Sequence, residues 1–178
     1  MSGAAARWSG TEAAALSDAV SAANQPSRGE PLAVRTLRER FPASVLEVIE
    51  FRGEWTVIVP PAGMVEACRA LRDEPGLAMA FLADLCAVHF LDRDTEHEVV
   101  VLLHSFERNE RIRLKCRLAP DESMPTLTGV FPGANWHERE AYDLVGVRFE
   151  GHPDLRRILM PEDYDAHPLR RDFPVKGT

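Results

Sequence analysis

The chain has 178 residues, of which 45% are hydrophobic and 28% charged, enough for one domain with a sizeable core and short tails. Its formal charge of −7 excludes a general attraction to nucleic acid, and no run approaches the roughly 18 apolar residues that a bilayer span needs. Cys68, Cys86 and Cys116 stand apart in sequence, which excludes a disulfide framework and a C-x-x-C metal knuckle and predicts three small buried hydrophobes.

Residues 1–30 are rich in Ala, Ser and Gly and poor in large apolar side chains, and read as a flexible N-terminal extension. Ser9 and Glu12 have capping-box spacing ahead of a short helix from Thr11 to Ala23. The extension lacks the h-region of a signal peptide, so the chain reads as cytosolic, with any membrane association through partners.

The body, residues 31–150, begins at Pro31, a favourable first-turn residue. It opens a helix that brings Leu32, Leu37 and Phe41 together and ends at Pro42. "SVLEVIEFRGEWTVIVP" is a hairpin of two β-branched runs about Arg52, Gly53 and Glu54. Pro60 and Pro61 stop the second strand and open a helix with Met64, Ala67, Cys68 and Leu71 on one stripe. "AMAFLADLCAVHFLD" reads as a strand bent near Asp84, followed by the strand "EHEVVVLLHSF".

In "ERIRLKCRLA" the alternation is clear. Ile112, Leu114, Cys116 and Leu118 share the core face, while Arg111, Arg113, Lys115 and Arg117 face water or an acidic partner. The order of elements predicts an α+β fold: a two-layer domain with helices on one face of a mixed β-sheet, followed by an extended Pro-rich C-terminal strap over residues 151–178.

"GANWHEREAYDLVG" is punctuated as a helix, with Asn135 as its cap, Glu138 answering the free first-turn amides and Gly146 ending it. Ala141, Leu144 and Val145 share a face with His137 at its edge, and Arg139 and Asp143 have the spacing of an ion pair. A zinc helix would need a second His four residues on, and a di-iron helix Glu-x-x-His; neither is present. Glu140 and Asp143 lie one turn apart as acid-base chemistry would want, but the arginines around them favour ion pairing. No nucleophile elbow or phosphate loop occurs.

From Gly151 onward Pro153, Pro161, Pro168 and Pro174 enforce an extended, turned path. Leu155, Ile158, Leu159, Met160, Tyr164, Leu169, Phe173 and Val175 supply apolar anchors, while Arg156, Arg157, Arg170 and Arg171 supply forked donors for carboxylates. Such a ribbon docks either on another surface or on its own domain.

The run "NWHEREAYDLVGVRFEGHPDLRRILMPEDYDAHPLRRDFPV" closely resembles the signature and tail of the 30-kDa (C-type) subunit of respiratory complex I, the proton-pumping NADH:quinone oxidoreductase. The resemblance is clearest from Pro125 to Val175, is weaker over the body and does not reach residues 1–30. It implies a non-catalytic peripheral-arm subunit on the cytoplasmic side of the inner membrane, without cofactors of its own. Iron-sulfur clusters, FMN and quinone would belong to partner subunits.

The partners it implies are the large quinone-site subunit of the 49-kDa type and the subunit that carries the terminal iron-sulfur cluster. Carried over with it is an assembly role for Glu138, Arg139, Glu140, Asp143, His152, Asp154, Arg156, Arg157, Pro161, His167, Pro168, Arg170 and Asp172. Two alternatives stand beside it: the equivalent subunit of a complex-I-related membrane-bound hydrogenase, and a stand-alone metal-dependent enzyme using His137, Glu140 and His152.

Overall fold

A computed structural model describes residues 29–174 apart from Asp92. The helix read over Thr11–Ala23, and Val175, lie outside the described residues. The chain opens with α1 (Leu32–Arg40) and a hairpin of β1 (Glu47–Phe51) and β2 (Glu54–Ile58). Arg52 and Gly53 form its two-residue turn with φ of 54° and 78°, the positive pair that matches the right-handed twist of the strands. Glu54 is thus the first residue of β2, paired with Phe51, and not part of the turn.

After α2 (Met64–Asp73) come β3 (Phe81–His89), β4 (His97–Ser105) and β5 (Glu110–Leu118), an antiparallel meander. β5 then pairs with β2 in parallel, giving a mixed five-stranded sheet of order β1-β2-β5-β4-β3. The bend expected near Asp84 is a register shift between Leu82 and Asp84.

One face of this sheet, through Val57, Val99, Val101, Leu103, Ile112, Leu114, Cys116 and Leu118, forms a single core with Ala33, Val34 and Leu37 of α1 and Met64, Ala67, Cys68 and Leu71 of α2. Each fully buried aliphatic side chain of this kind contributes about 1.5–3 kcal/mol over leaving it in water. Leu32 and Phe41, read as core residues of α1, are only partly buried against it; Ala33 and Val34 take the inner positions. Cys68 and Cys116 are buried, whereas Cys86 is exposed, because it falls on the opposite face of β3 from Leu85. Burial pushes the Cys68 and Cys116 thiols up to about 12, so both stay protonated.

The last third adds α3 (Ala134–Val145), flanked by two-residue strands β6 (Met124–Pro125) and β7 (Phe149–Glu150) that pair in parallel. α3 packs on β3. Residues 151–174 contain neither helix nor strand and run as turns and bends.

Candidate functional site: the junction of α3 and the C-terminal segment

The charged motif lies where α3 meets residues 151–174. The helix begins without a side-chain cap, at Gly133, because the preceding chain is already turning: the Ala134 amide donates to Phe131 O at 2.9 Å. Asn135 is therefore inside the first turn and not the cap. Glu138 does not answer the first-turn amides either. It is fully buried, and its carboxylate accepts the Leu127 amide and the Thr126 hydroxyl, each at 2.6 Å.

At the other end Gly146 adopts φ +91°, and its amide donates to the carbonyls of Ala141 and Tyr142 at 3.1 and 3.0 Å. A Cβ at this position would stand 2.9 Å from the His167 ring, so the glycine serves the left-handed turn and the seating of His167 together.

Asp143 is the centre of the junction. Its side chain is fully buried, and Oδ2 accepts three consecutive amides, Ile158, Leu159 and Met160, at 3.0, 2.7 and 3.0 Å. Oδ1 accepts Arg157 Nη1 at 2.7 Å, and the same guanidinium donates to the carbonyls of Asp143 and Ala166 at 3.0 and 3.1 Å. Burial alone would raise this carboxyl. The Met160 and Leu159 amides, the Arg157 guanidinium and the Ile158 amide outweigh it and hold the carboxyl down at about 2.

The ion pair read between Arg139 and Asp143 does not form, since each side chain has turned to the C-terminal segment. Arg139 donates to the carbonyls of Arg156 and Arg157 at 3.2 and 3.3 Å and lies over the Trp136 ring at 5.1 Å. His167 Nδ1 bonds Asp143 O at 3.0 Å, and the Leu169 amide reaches Leu144 O at 2.9 Å. Further along, the Arg171 amide donates to Nδ1 of buried His89 at 3.1 Å.

The remaining predicted residues divide by exposure. His152 is sealed, with Nε2 at 3.9 Å from Glu138 Oε2 and 3.3 Å from Asn135 O. Burial pushes the Glu138 carboxyl up to about 7, against the opposing bonds from Thr126 and Leu127. Glu140 and Pro161 are exposed, and Pro168 is half-buried. Arg156 pairs with Asp154 and Arg170 with Asp172, each at 2.9 Å within the chain. Leu159 and Leu169 face outward, 57% and 61% exposed.

Sequence reasoning missed Thr126, the Leu127 amide, the Asn135 carbonyl and His89. Only His89 had a legible signal, as a histidine ending an apolar strand. His137, Glu140 and His152, the proposed metal set, are not assembled: His137 stands 3.5 Å from Asp84, Glu140 is exposed, and His152 faces Glu138. Among the described residues no group of three His, Cys, Asp or Glu side chains could hold a metal ion.

The fold is that of a chain in the membrane-bound sulfane sulfur reductase, an archaeal respiratory membrane complex, with a TM-score of 0.66 over 80% of this chain and 84% of that one, at 24% identity. Residues 57–178 match the family model described as the respiratory-chain NADH dehydrogenase, 30 Kd subunit. The chain belongs to this family and is a subunit of the complex I type of NADH-quinone oxidoreductase.

Among its relatives is the NADH-quinone oxidoreductase C-type subunit of Roseiflexus sp. (strain RS-1), 49% identical over 142 residues, or 78% of this chain and 80% of the relative. Another is the second C-type NADH-quinone oxidoreductase subunit of Rhizobium meliloti (strain 1021), 43% identical over 147 residues, 83% of this chain and 81% of the relative. These names do not favour the hydrogenase alternative.

Proposed function

We propose that this protein is a non-catalytic part of the peripheral arm, supporting assembly and stability of the quinone-reducing module. Residues 31–150 form its domain and residues 151–178 its docking tail. The neighbours in this reading are the large quinone-site subunit and the terminal cluster subunit, which together with other partners hold the iron-sulfur clusters, FMN and quinone. Membrane attachment is indirect, at the cytoplasmic face; among the described residues no helix is long and apolar enough to cross a membrane.

The observation that carries the reading is the use made of the charged motif. Asp143, Arg157 and Arg139 are spent largely on backbone groups of residues 156–166, fixing a segment whose Leu159 and Arg156 side chains remain outside. A carboxylate occupied by three amides and a guanidinium is poor as an acid or a base but effective as an anchor.

The test is a tagged pull-down from mildly solubilised membranes, comparing wild type with Arg156→Glu/Arg170→Glu and reading protein identity and NADH:quinone activity. Capture of the quinone-site and cluster subunits by wild type, lost together with activity in the variant, is the expected result. A chain that comes out alone with bound metal overturns the reading.

A further inference from the structure

The corner of the sheet where β3 begins, β4 ends and β5 begins leaves two aromatic rings in water. Phe81 is 47% exposed and Phe106 is 72% exposed. Phe81 pairs with His104 and His104 with Arg111, so the three stand side by side across neighbouring strands. Leu103 and Ile112, next to them in sequence, point into the core, which sets His104, Arg111 and Phe81 on the opposite, open face. Phe106, the first residue after β4, packs back on this row, its ring centroid 5.1 Å from that of Phe81 and 4.8 Å from that of His104. Contiguous exposed rings of this kind mark a contact surface in a way that scattered single ones do not.

Arg111 supplies the charge. The other three cations of β5 each meet a glutamate of a neighbouring strand: Arg113 meets Glu54, Lys115 meets Glu98 and Arg117 meets Glu47. Arg111 is exposed and has no such partner among the described residues. The acid beside it, Glu110, is held by both arms of the Arg108 guanidinium at 2.9 and 3.0 Å. A groove of about 650 Å³ opens at Arg111, with Ala83, Leu102 and Arg113 also in its walls. A guanidinium with free donors takes a carboxylate in two-point contact.

From this arrangement we propose that Phe81, His104, Phe106 and Arg111 form a docking surface for a neighbouring protein of the assembly, one that lays an aliphatic side chain on the two phenyl rings and sets an Asp or Glu on Arg111. Aromatic and arginine side chains are the residue types that anchor such contacts. A lipid surface suits the corner less. Arg108 and Glu110 neutralise each other, and Glu107 offsets Arg111, so no net positive charge is left to draw anionic headgroups. The surface lies at the opposite end of β3 from His89, which takes the Arg171 amide, and is therefore separate from the C-terminal segment. The proposal rests on the reading of the chain as an assembly subunit and adds a second contact to it.

The experiment uses the full chain with Phe106→p-benzoylphenylalanine, a photo-crosslinker, captured with its complex from mildly solubilised membranes through a tag on this chain. Mass spectrometry then maps the crosslinked residue. The expected result is a crosslink to an aliphatic side chain of another subunit with an Asp or Glu beside it. Arg111→Glu is expected to lower the crosslink yield roughly tenfold, and reversal of that carboxylate to Lys to restore it. If the glutamate variant does not fold, Arg111→Gln removes the charge without adding one to the strand, with an expected loss of roughly threefold.

A crosslink to lipid, to a second copy of this chain or to residues 1–28 overturns the proposal, as does a yield that the Arg111 variants leave unchanged. Capture of the other subunits without any crosslink sinks the surface and leaves the assembly role standing. A chain captured alone and without crosslinks removes both.

Discussion

The cation row of β5 and the Asp143 junction are built from the same residue types and differ in what those residues touch. On β5, Arg113 meets Glu54 at 2.6 Å and Arg117 meets Glu47 at 3.5 Å, each with one or both partners well exposed, while the partly exposed Lys115 meets the buried Glu98 at 2.7 Å. The row was expected to face water or an acidic partner, and glutamates of β1, β2 and β4 meet it instead. At the junction the carboxylate is sealed and most partners are backbone groups. Exposed pairs are screened and cost side-chain entropy to hold, whereas a desolvated carboxylate with four donors cannot lose them cheaply. Charge density in a sequence thus says little until burial and partner type are known.

Removing the centre gives the largest expected effect. Asp143→Ala leaves the Arg157 guanidinium and three amides without their acceptor and is expected to cost about 3–5 kcal/mol. Denaturant unfolding measures the loss, and limited proteolysis should cut within residues 150–174. A loss as small as that of a surface pair would erase the distinction between the two regions.

Acid sharpens the same contrast. The Asp143 carboxyl lies at about 2 in the folded chain against 3.8 unperturbed, so its contribution is present above 3.8 and is lost as pH falls through about 2. The stability gap between wild type and Asp143→Asn should narrow by roughly 2 kcal/mol across that window, read by thermal melts at stepped pH. The smallest effect belongs to β5: Arg113→Ala is expected to cost about 0–1 kcal/mol and to fade in salt.

What was legible in the sequence follows from which groups carry identity. The Arg52-Gly53 turn, the alternation of β5 and the stripe of α2 were readable because side-chain type reports local geometry at fixed spacing. The family signature was readable as a string. The partners of Asp143 were not, because backbone amides 15 to 17 positions away are the same for every residue type. Asn135 and Glu138 misled for a related reason. Their spacing suits a capped helix, but a turn through Leu127 and Phe131 starts α3 two residues earlier and turns Glu138 inward.

The parallel pairing of β2 with β5 orders events in time. Thr56 meets Arg113 across 57 positions, whereas the β1–β2 hairpin and the β3–β4–β5 meander close through local turns. Joining these halves is the non-local step and governs how fast the sheet is completed. Until β5 has emerged from the ribosome, β2 presents an unpaired edge, and Val57 lacks the neighbour that later buries it. A pause in synthesis after Ile58 and before Glu110 holds that edge open longest, which makes the interval the point at which a nascent chain most needs a chaperone.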